Sequence, residues 1–272
     1  MRVIDRDGRV ASCQETQDKY RIDLENKQTF DVRPNAHFYL DGIVPQSNNR
    51  RFKDSFIAVY NEDVVERVFT EANLGYRVGV MNFASARKPG GRPGANSQEE
   101  VLIRSSYLLP SISQFYPQYY KRNIEDNRHY MYTDDLIYSK DIPFVKRRVS
   151  KEFENFVDPV LADVVTIAAP NRTAMINHLM TVDYRELTRI LVNRIYHTLR
   201  AFKANNCESI ILGAFGCGVF GNDPAKVAKI FHLLLDSDEF KNCFKRVIFS
   251  VYETPSSSTG NFKAFNREFK KR

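Results

Sequence analysis

Short apolar runs alternate with amphipathic stretches along most of this chain. Phe56 to Tyr60, Val78 to Ala84, Ser209 to Gly213 and Arg246 to Val251 read as strands, and so does Asp135 to Ser139. Val164 to Asn171 is a further apolar strand that ends in a Pro170-Asn171 turn. Between them the period changes. Asn61-Glu62-Asp63 starts a helix with Val64, Val65, Val68 and Phe69 on its apolar side. A second helix follows from Ser97, with Val101, Leu102, Ser105 and Leu108-Leu109 inward. Tyr184 to Asn205 and Ala225 to Leu235 are two more. The first third is less regular: Glu15 to Tyr20 reads as part of a surface helix and Thr29 to Val32 as a short strand. Apolar strands alternating with helices predict an α/β fold, with helices on both sides of a mixed or parallel sheet.

Length and composition narrow this picture. At 272 residues the chain reads as a single domain, residues 1–55 or so being an accessory amino-terminal extension. A hydrophobic share of 43% leaves enough for a sizeable core. No apolar run has the length of a membrane span, and the charged start Met1 to Asp7 is unlike a signal peptide. Cys13, Cys207, Cys217 and Cys243 lack C-x-x-C spacing, which predicts a reduced, intracellular setting, cytoplasmic or nuclear. The five histidines are scattered with no H-E-x-x-H, so neither a metal nor a cofactor is expected. Net charge is +7. The clusters Lys146-Arg147-Arg148 and Lys270-Lys271-Arg272 read first as a solvated face and a frayed tail. As a positive field they also permit a phosphate-rich ligand or nucleic acid. Only Ser256-Ser257-Ser258 is of low complexity.

Two glycine-rich loops carry the candidate chemistry. Pro89 to Glu100 reads PGGRPGANSQEE: bare backbone able to approach an anion runs straight into two adjacent carboxylates. The second, Gly213 to Pro224, places four glycines in nine positions after a strand. Asn222 or Asp223 caps the helix beyond it, with Pro224 in the first turn. Its amides and the helix dipole suit an anion. Gly216-x-Gly218-x-x-Gly221 also matches the dinucleotide fingerprint. Its place near the carboxy terminus, without an acidic residue ending the next strand, argues against a nicotinamide dehydrogenase. Two phosphate-style loops suit a diphosphate gripped from two sides.

The glutamates have a structural reading as well as a chemical one. Ser97-Gln98-Glu99-Glu100 is a capping box in which Glu100 reaches back to the backbone of Ser97. A carboxylate in the first helical turn feels the dipole, which lowers its pKa. Donating a proton near pH 7 then needs burial or a neighbouring negative charge. Adjacent residues point about a third of a turn apart, so Glu99 and Glu100 cannot flank a sugar from opposite faces. One does acid/base work and the other positions the substrate.

Asn82 to Ala86, Pro89-Gly90-Gly91, Gln98-Glu99-Glu100 with Arg104-Ser105-Ser106, Tyr132 to Asp135, Ala168 to Asn171 and Gly213 to Pro224 occur in order. This ordered set, from about Glu15 to Phe265, closely resembles the microbial-type poly(ADP-ribose) glycohydrolases. The resemblance implies a macrodomain-like three-layer α/β/α fold with a mixed sheet and an amino-terminal helical extension. It implies metal-independent cleavage of an O-glycosidic ribose linkage to release ADP-ribose. Glu100 would protonate the leaving oxygen at the distal ribose and then activate water, while Glu99 holds the ribose hydroxyls. Asn82, Ser85 and Gln98 would line the sugar pocket, with Gly90 and Gly91 along the ribose and diphosphate. Gly216, Cys217, Gly218, Val219 and Phe220 would form the second diphosphate loop, Phe220 packing on the distal ribose. Phe262 is the candidate adenine-stacking residue. Where the family carries a third glycine this chain has Arg92, followed by Pro93, which makes the loop shorter and stiffer and adds a cation. The acceptor therefore stays open between polymer, mono-ADP-ribosyl protein and modified nucleic acid. A binding-only ADP-ribose module and a hydrolase of ADP-ribosylated bases are the alternatives.

Overall fold

The computed structural model describes residues 2–3, 5–47, 52–126, 128–148, 153–254 and 259–270. Ser256-Ser257-Ser258 and the tail residues Lys271 and Arg272 lie outside them. In chain order the strands are β1 (Arg2–Val3), β2 (Ala36–Tyr39), β3 (Phe56–Tyr60), β4 (Val78–Phe83), β5 (Leu136–Arg148), β6 (Phe153–Ile167), β7 (Ser209–Leu212) and β8 (Arg246–Ser250). The helices are α1 (Arg6–Glu25), α2 (Val64–Asn73), α3 (Gln98–Ser105), α4 (Leu108–Ser113), α5 (Arg122–Glu125), α6 (Arg172–Asn177), α7 (Tyr184–Ala204), α8 (Pro224–Asp236) and α9 (Asn261–Phe269). A π-helical turn, Tyr116–Lys121, precedes α5.

The sheet runs β2-β5-β6-β4-β7-β8-β3, with β1 added along β6. From β6 to β3 the neighbours are parallel, whereas β5 pairs antiparallel with both β2 and β6. Alternation along the central strands sends side chains to two separate cores. Met81, Val165, Ile210 and Phe249 pack toward α7, α8 and α9. Val80, Val164 and Ile211 pack toward α2, α3 and α4. This is the expected three-layer α/β/α arrangement, its mixed sheet lying between two layers of helices.

Most elements lie where the apolar pattern places them, and the differences have physical causes. Thr29 to Val32 is not a strand. Asp31 accepts the N–H of Arg33 in a tight turn, and the Val32 N–H reaches the Tyr20 hydroxyl instead of a neighbouring strand. The Ser97 helix stops at Ser105 and resumes as α4, because Ser106 turns extended and bridges Phe144. The strand expected at Asp135 to Ser139 continues to Arg148 and forms a hairpin with β6. Register shifts between Ser139 and Ile142 and between Phe144 and Lys146 break the alternation that would have disclosed it.

Lys146-Arg147-Arg148 is not a solvated face. Lys146 is 2% exposed and its ammonium donates to Ser12, Arg147 pairs with Glu66, and Arg148 lies 3.9 Å from Asp63. Nor is α1 only a surface helix, since Ser12, Thr16, Tyr20 and Asp23 are buried against the body. All four cysteines are free thiols. Among the described residues no helix is long and apolar enough to cross a membrane.

Candidate active site

Parallel strands that leave the sheet at one end deliver their loops to one place. β4 lies between β6 and β7 although the chain visits it before either, and a cleft opens beyond the carboxyl ends of these strands. The cleft holds about 700 Å³. Ser85, Gly91, Gln98, Glu99 and Glu100 line it on one side, and Gly216, Gly218, Val219 and Phe220 on the other. The two glycine loops predicted from sequence therefore face one cavity.

Each member of the Gln-Glu-Glu run is held differently. The Gln98 amide clasps β4: its oxygen accepts the Phe83 N–H at 2.8 Å and its nitrogen donates to the Met81 carbonyl at 2.6 Å. With both ends occupied, Gln98 fixes α3 to the sheet. Glu99 is 2% exposed. One of its oxygens accepts the Ser85 N–H at 2.7 Å, the other the Asn82 side-chain amide at 3.3 Å, and the Gly90 N–H adds a further bond. Glu100 Oε1 accepts the Arg92 N–H at 2.8 Å, while Glu100 Oε2 has no partner among the described residues.

The capping box therefore does not form. Ser97 is the N-cap residue of α3 but its side chain makes no cap hydrogen bond, and the Glu100 carboxylate turns to the loop instead. Gly91 makes this possible. It adopts φ +69°, and a Cβ there would stand 2.3 Å from Glu100 Oε1 and 3.1 Å from Glu99 Oε2. Only a residue without a side chain lets the loop lie against both carboxylates.

Burial decides the electrostatics of the pair. Desolvation pushes the Glu99 carboxyl up to about 8, with repulsion from Glu100 adding to it, against the Ser85, Asn82 and Gly90 bonds that favour the anion. The dipole-lowered carboxylate expected for the first helical turn is thus overridden at this residue.

The remaining predicted residues divide into wall and support. Asn82 is fully buried behind Glu99 and bonds Thr166. Gly90 packs toward Ile103 and Leu109, and Cys217 is buried with its thiol on the Phe215 carbonyl, so neither lines the cavity. In the second loop the N–H groups of Gly218, Val219 and Phe220 have no protein acceptor among the described residues. Asn222 Nδ2 closes the loop on the Gly216 carbonyl and ties it to the turn after β6 through the Pro170 carbonyl, and Asp223 caps α8. Phe220 packs against Tyr132 at the cleft wall, with ring centres 6.3 Å apart. Phe262 packs partly buried on the α7–α8–α9 core and does not itself line the cavity, although its neighbour Asn261 does.

Sequence reasoning missed the far end of the cleft, where Glu62, Asp63, Tyr252 and Asn261 line the wall. Tyr252 is 50% exposed there. The signal available was position: Glu62 and Asp63 follow β3, and Tyr252 follows β8, both at the carboxyl ends of parallel strands.

The three-layer α/β fold brings an adjacent pair of carboxylates and a glycine loop whose amides have no protein acceptor among the described residues to one cleft. The family described as microbial-type PARG, catalytic domain, matches residues 10–147. A crystal structure of poly(ADP-ribose) glycohydrolase from Thermomonospora curvata is similar over 96% of this chain and 99% of its own, at 31% identity and a TM-score of 0.81. The same enzyme bound to the inhibitor ADP-HPD matches with a TM-score of 0.78, again at 31% identity and over the same shares of both chains. The Deinococcus radiodurans enzyme, solved in complex with ADP-ribose, matches at 28% identity and a TM-score of 0.73, over 88% of this chain and 96% of its own. No curated protein matches this chain. The chain belongs to the microbial-type poly(ADP-ribose) glycohydrolase family, glycosidases that act on poly(ADP-ribose).

The Glu99 environment predicts a pH dependence of stability. Its carboxyl titrates near 4.5 when unfolded and about 8 when folded, so between these values the native state binds more protons. The contribution is fully present below pH 4.5 and is lost as pH rises through 8, by up to ~1.4 kcal/mol per pH unit. Urea unfolding of wild type and Glu99→Gln from pH 5 to 8.5 reads this out. The wild type's stability relative to the glutamine variant falls steadily with pH, and a constant difference would contradict the assignment.

Proposed function

We propose that the chain releases ADP-ribose from the end of poly(ADP-ribose), with Glu100 as general acid and base and no metal. The observation that carries this reading is the asymmetry of the two carboxylates. Every oxygen of Glu99 is already held by N–H donors, whereas Glu100, which lines the cleft, has its Oε2 buried with no hydrogen-bond partner among the described residues. A bound sugar supplies that partner.

In the first step the bond from the anomeric carbon to the leaving oxygen breaks, its electron pair goes to that oxygen, and the oxygen takes the proton from Glu100. The ribose passes through an oxocarbenium-like state. Water then adds to the anomeric carbon and returns a proton to Glu100. Glu99, fixed by Ser85 and Asn82, receives the ribose hydroxyls, and Phe220 forms the wall beneath the sugar. The free amides of Gly218, Val219 and Phe220 take the diphosphate oxygens. Lys88 and Arg92 add positive charge to the same cleft wall. The adenine then lies at the far end, beside Tyr252, which lines the cavity where Phe262 does not.

Two measurements test this. Glu100→Gln lowers ADP-ribose release from polymer by ~10²- to 10⁴-fold while ADP-ribose binding by calorimetry persists, and wild-type turnover is unchanged in EDTA. An unchanged rate in the variant removes Glu100 from the role, and tight ADP-ribose binding without turnover by the wild type makes the chain a binding module. Tyr252→Ala weakens ADP-ribose binding by about 5- to 150-fold, as expected for loss of one stacked base, whereas Phe262→Ala leaves it within about threefold. The opposite ranking returns adenine to Phe262.

A further inference from the structure

The turn that holds Glu100 is itself held from outside the catalytic helix. Ala95 donates its N–H to the Arg92 carbonyl at 3.0 Å, which closes a turn over Arg92-Pro93-Gly94-Ala95. Proline in the second position and glycine at φ +80° in the third are the residues a type II turn requires. Arg92, its first residue, is the one whose N–H fixes Glu100 Oε1.

Such a turn leaves carbonyls pointing outward, and two arginines take them. Arg9 on α1 donates from Nε to the Gly94 carbonyl at 2.8 Å. Arg104 on α3 reaches the Ala95 carbonyl and the Asn96 side chain, each at 3.4 Å. Contact with α1 is close at this point: a Cβ on Gly94 would stand 3.0 Å from Val10 Cγ2 and 3.2 Å from both the Arg6 carbonyl oxygen and its Cγ.

Further along α1 a buried polar network ties the helix to the body. Ser12 donates to Glu154 at 2.7 Å, Glu154 pairs with Arg104 at 3.2 Å, and Thr16 donates to the Arg104 carbonyl at 2.5 Å. Lys146 donates to both oxygens of Ser12. Glu154, Arg104 and Lys146 are nearly fully buried, so each charge depends on these partners. The helix is therefore fixed in register against α3 and cannot slide without unpairing them.

We propose that α1 is part of the catalytic apparatus, and that Arg9 is a positioning residue for Glu100. Arg9 holds Gly94, Gly94 sets the turn, and the turn presents the Arg92 N–H that aims the carboxylate. Residues 6–25 then belong to the glycohydrolase unit and are not an accessory extension. The proposal rests on the reading of Glu100 as the acid and names what holds it in place.

Arg9→Ala and Arg9→Lys test it. With poly(ADP-ribose) as substrate, Arg9→Ala lowers kcat by about 10- to 100-fold, the loss expected when a catalytic group shifts by about an ångström. ADP-ribose affinity stays within about twofold, the melting temperature is unchanged, and Arg9→Lys, which keeps one donor, recovers part of the rate. Hydrogen exchange at the Arg92 and Ala95 amides is faster in Arg9→Ala than in wild type. A kcat within twofold of wild type in Arg9→Ala overturns the proposal. So does a loss that follows the melting temperature and is not rescued by lysine. If the wild type releases no ADP-ribose from polymer, the proposed function fails. The exchange rates then still decide whether Arg9 holds the turn: unchanged exchange at both amides overturns it.

Discussion

Two carboxylates on adjacent residues can serve one cleft only if something other than the helix decides where each points. Here backbone N–H groups decide. The loop after β4 offers Ser85 to Glu99, and the glycine loop offers Arg92 to Glu100. The remaining architecture serves to bring these donors to the first turn of α3. Gln98 clamps that turn to β4, Gly91 clears the space between loop and carboxylates, and Asn82 closes the back of the pocket. Because the donors are main-chain groups they have little freedom to reorganise, which is the form of preorganisation that transition-state stabilisation requires.

The position of this assembly follows from sheet topology. β4 is flanked by strands visited later in the chain, so loops from both halves meet beyond its carboxyl end. The carboxylates come from the β4 side and the free amides of Gly218 to Phe220 from the β7 side. Burial then separates two chemically identical residues. Glu99 is withdrawn from water and pushed up to about 8, while Glu100 has one oxygen without a hydrogen-bond partner among the described residues.

Strands β3, β4, β7 and β8, helices α2, α7 and α8 and both glycine loops were legible from sequence, because short apolar runs, helical periodicity and glycine clusters leave strong local signals. The carboxylate pair was legible as well, but its restraints were not. Ser97 with Glu100 has the spacing of a capping box, yet the carboxylate follows the Arg92 N–H, a contact that exists only once the loop has folded back. The β5–β6 hairpin was hidden by register shifts, and by charged residues such as Lys146 that are buried through partners distant in sequence. Tyr252 and Arg9 carry no motif. Their place depends on which strand ends where, and on α1 packing across the loop, neither of which periodicity encodes.

The most direct test of this arrangement is a crystal structure of the protein with ADP-ribose bound. The account places the anomeric oxygen of the distal ribose within hydrogen-bond distance of Glu100 Oε2, with the neighbouring ribose hydroxyls on Glu99 and the diphosphate on the amides of Gly218 to Phe220. A distal ribose whose anomeric carbon faces away from Glu100, or whose hydroxyls leave Glu99 untouched, would contradict it.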